Sequence, residues 1–163
     1  ITNTQHKIMH YDKFELKSNG EIWINDRPFM EIIKEVEMPF AQKEYDERIK
    51  EGESSDDLRL LAGDYIYPHS SSLYLPSRNL LDEPACVADK GFVLEENDPE
   101  SGKSLILECT CGITECWFLQ ARIELTDATV RWYDFSQFHR DWKYNLEYVF
   151  ERKLYEKQVR QKC

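Results

Sequence analysis

Three cysteines stand close together in the stretch LILECTCGITECWFL, which spans residues 105–119. Cys109 and Cys111 are two positions apart at the end of a predicted strand, so their side chains point to the same face. Cys116 follows the turn sequence GITE, and it returns close to the other two if the stretch forms a hairpin. Three such thiols could bind a metal ion, carry out redox chemistry, or fill space at a buried turn.

A zinc site at these cysteines is one interpretation. Zinc needs four protein donors in a closed site, or three and a water molecule in an open one. His139 is the nearest candidate for a fourth donor, and Cys86 is another. The spacing departs from the usual zinc pattern, because only one residue separates Cys109 from Cys111 and the chain has no second closely spaced pair. We therefore prefer small buried side chains at a crowded hairpin turn, and keep zinc held by Cys109, Cys111, Cys116 and His139 as the alternative.

Redox and hydrolytic chemistry are weaker interpretations. Glu108 and Glu115 flank the cysteines and would raise the pKa of the thiols, which disfavours a reactive thiolate. His139 stands between Arg140 and Asp141, and His69 precedes a run of serines, so either imidazole is a candidate general base. Neither is accompanied by a nucleophile elbow, a phosphate-binding loop or a zinc-protease motif, so a hydrolase is the last alternative and we predict no enzyme.

Surplus negative charge is the clearest bulk property of the chain. The sequence has 31 acidic and 21 basic residues, a formal net charge of -10. The acids concentrate in EYDERIKEGESSDD (44–57) and EENDPE (95–100). Such a surface repels nucleic acids and anionic membranes and attracts basic proteins. The stretch RWYDFSQFHRDWKY (131–144) mixes aromatic and basic residues as single-strand-binding surfaces do, but it also contains acids, and we assign Trp132 and Phe135 to the core.

The predicted contact surface for a basic partner combines carboxylates with tyrosines. The carboxylates would pair with Lys or Arg of the partner, and the tyrosines of the loop 65–75 would act as anchors, because Tyr offers a large contact area at low entropic cost. We expect the following residues to make the contacts: Asp46, Glu47, Glu51, Asp56, Asp57, Tyr65, Tyr67 and Tyr74.

The elements that position these residues follow from local patterns. Alternating runs on both sides of Asn19-Gly20 predict a hairpin, and apolar residues at helical spacing from Phe29 predict a helix, with Asp26 as its N-cap and Pro39 as its end or kink. Strands follow over much of 91–150, and a helix over 151–162 with Leu154, Tyr155 and Val159 buried closes the chain. This order predicts an α+β fold with a mainly antiparallel sheet, in a single domain covering 1–163.

A reducing, cytoplasmic setting is the expected compartment. An odd count of five cysteines in a chain of 163 residues is unlike a disulfide framework. No run of about 18 apolar residues occurs, so no membrane-spanning helix is predicted. The first residues, ITNTQHKIMHYDKFELK, also lack the pattern of a secretory signal.

Several segments together resemble a widespread bacterial family of small uncharacterised proteins. The resemblance covers roughly 20–36 and 60–155, and its main motifs are C-x-C-G-x-x-x-C-W, here CTCGITECW, and V-x-W-x-x-F-x-Q-x-H-R, here VRWYDFSQFHR. It implies family membership but no activity. By type alone, the size, the acidity and the absence of catalytic motifs are similar to immunity proteins of bacterial toxin systems, which bind a basic toxin domain such as a nuclease. The sequence therefore predicts a non-catalytic binding protein without a cofactor.

Overall fold

The computed structural model describes residues 10–56, 58–68, 80–81, 98–111 and 116–160. Within these residues the chain forms a three-stranded and a five-stranded antiparallel sheet and two helices, which confirms the α+β prediction. The elements in chain order are β1 (Phe14–Leu16), β2 (Ile22–Ile24), β3 (Arg27–Pro28), α1 (Phe29–Lys50), β4 (Tyr65–Ile66), β5 (Ser104–Cys109), β6 (Phe118–Leu125), β7 (Thr129–Gln137), β8 (Tyr148–Glu151) and α2 (Arg152–Arg160). The smaller sheet has the order β1-β2-β3, and the larger one β4-β5-β6-β7-β8.

The N-terminal hairpin forms where its turn residues predict it. Gly20 has a φ of 88°, which supplies the left-handed backbone that the turn between β1 and β2 needs. A second tight turn follows at Asn25 and Asp26, whose φ angles are 51° and 64°. Asp26 forms an ion pair with Lys13 at 2.7 Å, so the prediction that it caps α1 is wrong; the helix begins at Phe29 without a side-chain cap.

Helix α1 is longer than its proline suggested. Its buried residues, Phe29, Ile33, Glu37 and Ala41, are four apart and form one stripe toward the sheets. The predicted end or kink at Pro39 does not stop the helix, which runs on to Lys50. Pro39 and Glu35 both lie on the exposed side, so water can bond the carbonyl group that the missing proline N–H leaves free.

The main core lies between the hairpin, α1, α2 and the larger sheet. Trp132 of β7 is fully buried at its centre, and Phe14 packs edge-on against it with ring centroids 5.6 Å apart. Tyr155 of α2 accepts a hydrogen bond from the Trp132 indole at 3.0 Å. Tyr155 and Val159 are buried as predicted, but Leu154 is 61% exposed, because only the first two share a face of the helix. Neither described helix has the length and apolar composition that crossing a membrane requires.

Candidate functional site

The three cysteines of the β5–β6 turn converge in space. Their Sγ atoms all lie within 4.8 Å of one another, and all three thiols are free. Cys109 ends β5 and is buried, whereas Cys111 and Cys116 are exposed. The prediction of three small buried side chains is therefore wrong for Cys111 and Cys116, which lie beyond the strand end where the sheet no longer covers them.

Hydrogen bonds join the three thiols into one unit. The backbone N–H of Cys111 donates to Sγ of Cys109 at 3.5 Å. Hydrogen bonds with Cys109 and with Cys111 raise the pKa of the Cys116 thiol to about 11, and partial desolvation adds to the effect.

His139 lies outside this thiol cluster. Among the described residues, the group with metal-ligand spacing contains Cys109, Cys111 and Cys116 alone, so the predicted fourth ligand is not brought to them. The His139 side chain is exposed, and its ring packs 4.0 Å from that of Phe138. Cys86 and His69 lie outside the described residues.

A cavity of about 790 Å³ opens beside the end of β7. Its wall is formed largely by the chain from Asp134 to Leu146, completed by Glu44 of α1, Glu100 and Gln120. Three of the lining residues, Asp134, His139 and Asn145, have positive φ angles of 53°, 79° and 49°. Non-glycine residues in this conformation cost energy and concentrate at functional sites, so the cavity is a candidate binding site.

One wall of the cavity carries an ionic network around a buried lysine. Lys103 is 1% exposed, and its Nζ lies 2.7 Å from Glu100 and 2.9 Å from the hydroxyl of Ser136. Asp134 completes the network, 3.5 Å from Lys103 and 3.0 Å from Arg122. Although burial raises the pKa of Glu100, hydrogen bonds from Lys103 and Ser136 lower it overall. The carboxylates of this wall are therefore compensated within the chain.

Another part of the cavity lining is fixed to α1 by an arginine. Arg140 donates two hydrogen bonds to Glu44, at 3.0 and 3.1 Å, in a bidentate pair. Its guanidinium also lies 5.0 Å from the ring centre of Trp117 and 5.9 Å from that of Trp142. Trp117 follows Cys116 directly, so Arg140 links the thiol cluster and the cavity to the same helix.

A buried carboxylate of α1 belongs to a hydrogen-bond network that includes residues of the cavity lining. Glu37 of α1 is fully buried and accepts hydrogen bonds from the Gly63 N–H at 2.8 Å, from the Tyr65 hydroxyl at 2.5 Å and from the Tyr144 hydroxyl. Gln137 in turn donates to the Tyr65 hydroxyl at 2.7 Å. Burial raises the pKa of Glu37, and the three donors partly oppose that shift.

Sequence reasoning missed this Glu37 network. One signal was available, since Glu37 stands four residues after Ile33 and four before Ala41 on the buried stripe of α1, where a charged residue is out of place. Its partners could not be recognised, because they come from two distant parts of the chain, Gly63 and Tyr65 from one and Tyr144 from the other.

The predicted contact residues separate into exposed and buried groups. Four carboxylates are exposed at and beyond the C-terminal end of α1: Asp46, Glu47, Glu51 and Asp56. Tyr65 is only 5% exposed and is bonded within the Glu37 network, so its assignment as a surface anchor is wrong. Tyr67 is half-buried and donates to the Ile22 carbonyl group at 3.3 Å. Asp57 and Tyr74 lie outside the described residues.

Comparisons with protein-family models, with curated proteins and with solved structures find no match. The resemblance to a bacterial family therefore stays a prediction, and the function must be argued from the residues themselves.

Proposed function

We propose that the chain is a non-catalytic binding protein that engages a basic protein partner through the C-terminal end of α1. Its finer role, in this proposal, is that of a cytoplasmic bacterial immunity protein that neutralises a cationic toxin domain such as a nuclease. The observation that carries the proposal is a group of exposed carboxylates at this end of the helix, Asp46, Glu47, Glu51 and Asp56, which we call the acidic end.

The acidic end has little compensation within the described chain. Among the described residues, Asp46, Glu51 and Asp56 form no ion pair, and Glu47 lies 3.9 Å from Lys43, a loose contact between exposed groups. By contrast, the neighbouring Glu53 is held by Arg48 at 2.7 Å. Asp46 accepts a hydrogen bond from the Gln42 side chain at 3.0 Å, which leaves its charge uncompensated. Exposed carboxylates of this kind remain available for the lysines and arginines of a partner.

The position of these carboxylates is unfavourable for the isolated helix. The C-terminal end of a helix carries partial negative charge, so each carboxylate there costs roughly 0.3–1 kcal/mol. Glu47 lies in the last turn of α1 and Glu51 directly follows it. A basic partner would relieve both the dipole term and the mutual repulsion, and it would be steered toward the surface before contact.

The cavity supplies a concave surface next to the acidic end. Glu44 lies on α1 one turn before Arg48 and also lines the cavity, so the two features share one stretch of helix. Two of the cavity's acids are paired within the chain, Glu44 with Arg140 and Asp134 with Arg122. Its aromatic lining, which includes Phe138 and Trp142, suits an inserted apolar or aromatic side chain of the same partner.

The polar groups of the cavity support binding rather than catalysis. Ser136 is its best-placed hydroxyl, but it donates to Glu100 and accepts from Lys103. An ammonium group has no lone pair with which to take the hydroxyl proton, and the lowered pKa of Glu100 makes that carboxylate a weak base.

Charge reversal tests the proposal. The chain is co-expressed with the product of the adjacent gene, which the proposal expects to be the toxin, and protection of the cells and affinity of the purified pair are measured. The triple variant Asp46→Lys, Glu47→Lys and Glu51→Lys should weaken binding by at least about 100-fold, since each desolvated charge pair contributes about 1.5 kcal/mol or more. Lysine at a helix C-terminal end is favourable, so lost binding in this variant would not reflect unfolding.

A matched control carries charge reversals elsewhere. Glu124→Lys on β6 and Asp127→Lys at the β6–β7 turn change two exposed carboxylates and should leave the affinity within about threefold, because distant charges mainly affect the encounter rate. If the acidic-end variant still binds as tightly as the control, the proposed surface is wrong. If the unaltered chain neither binds nor protects, the immunity role is wrong.

A further inference from the structure

We propose that Cys109, Cys111 and Cys116 form a three-thiolate binding site for zinc at the turn between β5 and β6. This site is separate from the acidic end and does not depend on the binding function proposed above. Three of its properties carry the inference: the spacing of the sulfurs, the exposure of two of them, and a backbone hydrogen bond to the third.

The spacing of the sulfur atoms is close to that of bound zinc. With a Zn–S distance of about 2.3 Å and tetrahedral angles, two ligating sulfurs lie about 3.8 Å apart. The three Sγ atoms of the cluster already lie within 4.8 Å of one another, so a contraction of about 1 Å completes the geometry. Cys111 and Cys116 stand outside the strands, where a change of side-chain rotamer does not disturb packing.

The exposure of two thiols argues against a packing role. Free cysteine is among the residue types most often buried, and a cysteine that only fills space belongs inside the fold. Cys111 and Cys116 are both exposed, yet they stay close to each other and to Cys109. Thiolates are soft donors that select zinc and similar ions over magnesium or calcium.

The third sulfur is held in position. The Cys111 N–H donates a hydrogen bond to Sγ of Cys109 at 3.5 Å, which ties the backbone of one ligand to the sulfur of another. Cys109 is also held by its strand, because it pairs with Tyr65 of β4. The cluster thus combines one rigid ligand with two adaptable ones.

The proposed binding step is an exchange of protons for metal. One Zn²⁺ replaces the three thiol protons, which pass to solvent, and three Zn–S bonds form without any change of oxidation state. Since the described residues supply only three donors to the cluster, the fourth tetrahedral position is left to water or to a donor from outside this group.

Zinc would fasten the end of β5 to the beginning of β6. Trp117, next to the ligand Cys116, packs under Arg140 and against Trp142, with the two indole rings 6.4 Å apart. A metal at the turn would therefore hold one wall of the cavity in place. We expect zinc to raise the unfolding temperature of the chain, since a ligand that binds only the folded state stabilises it.

Metal binding is tested on the full chain, reduced and freed of metal, by titration with Zn²⁺ and by elemental analysis after gel filtration. We expect about 0.8 equivalents of zinc or more to be retained, because tight thiolate sites keep their metal. Cobalt in place of zinc should give thiolate-to-metal charge-transfer absorption. Zinc should also protect three thiols from a thiol-specific reagent.

The variants are chosen so that folding does not confuse the outcome. Cys111→Ser and Cys116→Ser alter exposed residues and should each weaken zinc binding by at least about 100-fold. This loss exceeds the one typical of a residue that only hydrogen-bonds to a metal ligand. Cys163→Ser, at the end of the chain, is the matched control and should bind zinc like the unaltered protein. Retention below about 0.2 equivalents, or serine variants that bind as tightly as the control, would overturn the proposal.

Discussion

Removal of the buried carboxylate of Glu37 tests the network behind the cavity most directly. Glu37→Ala takes away the common acceptor of three donors, the Gly63 N–H and the hydroxyls of Tyr65 and Tyr144. Both tyrosines are 5% exposed, so water cannot easily replace the carboxylate without opening the structure.

The expected loss of folding stability in Glu37→Ala follows from the number of donors left without an acceptor. A buried donor without an acceptor costs about 1–3 kcal/mol, and part of the total is returned because a desolvated carboxylate is no longer buried. We therefore expect Glu37→Ala to lower the free energy of unfolding by about 3–5 kcal/mol, a large fraction of the roughly 5–15 kcal/mol typical of a domain. Glu35→Ala is the matched control, because Glu35 is an exposed acid on the same helix; its loss should stay below about 1 kcal/mol.

The same carboxylate predicts a dependence on pH. Burial raises the pKa of Glu37 above its ordinary value of 4.5, so the folded state holds this proton more tightly than the unfolded state does. The contribution of Glu37 to stability is therefore fully present below pH 4.5 and is lost as the pH rises through the pKa of the folded state. The side chain of Glu37→Gln cannot ionise, so this variant lacks the loss of stability that the ionisation of Glu37 causes.

Urea unfolding at a series of pH values measures both effects. We subtract the free energy of unfolding of Glu37→Gln from that of the unaltered chain, which cancels the titration of the surface carboxylates that both proteins share. This difference should fall as the pH rises from about 4.5 toward neutrality. A difference that rises with pH would mean that hydrogen bonding outweighs burial, contrary to our reasoning. A loss below about 1 kcal/mol for Glu37→Ala would show that the network contributes little.

Two further substitutions probe how α1 is held against the rest of the fold. Gly63→Ala should lower the free energy of unfolding in urea by about 2–4 kcal/mol, because Gly63 has a φ of 67° and a Cβ there would lie 2.7 Å from the Cβ of Lys34. The control Gly52→Ala, at a φ of 96° with open space around the new Cβ, should lower it by only about 1 kcal/mol. Equal losses of stability in the two variants would contradict the steric argument. Arg140→Ala should cost about 1–2 kcal/mol, and a double-mutant cycle with Glu44→Ala should return about 1 kcal/mol of coupling; coupling near zero would show that the bidentate pair is not formed in solution.

Local patterns in the sequence were enough to predict the fold class and many of its elements. The alternation around Asn19-Gly20 places the first hairpin, and the buried positions of Trp132, Phe135, Tyr155 and Val159 agree with their predicted core roles. These features depend on side chains close together in the sequence, since the period of a strand or helix is set by near neighbours. At Pro39 the local pattern left open whether the helix ends or kinks, and the structure excludes an end, because packing of the Phe29–Ala41 stripe outweighs one lost helical hydrogen bond.

The sequence by itself also determined the surplus of carboxylates and the presence of three neighbouring thiols. Only the tertiary structure decided which of these side chains are exposed and which distant groups meet them. Tyr65 was indistinguishable from a surface tyrosine until the structure showed that Glu37, 28 positions away, accepts a hydrogen bond from its hydroxyl. Tyr144 meets the same oxygen from 107 positions away. Burial and hydrogen bonding are properties of segments brought together by the whole fold, and no spacing along the chain records which segments those are.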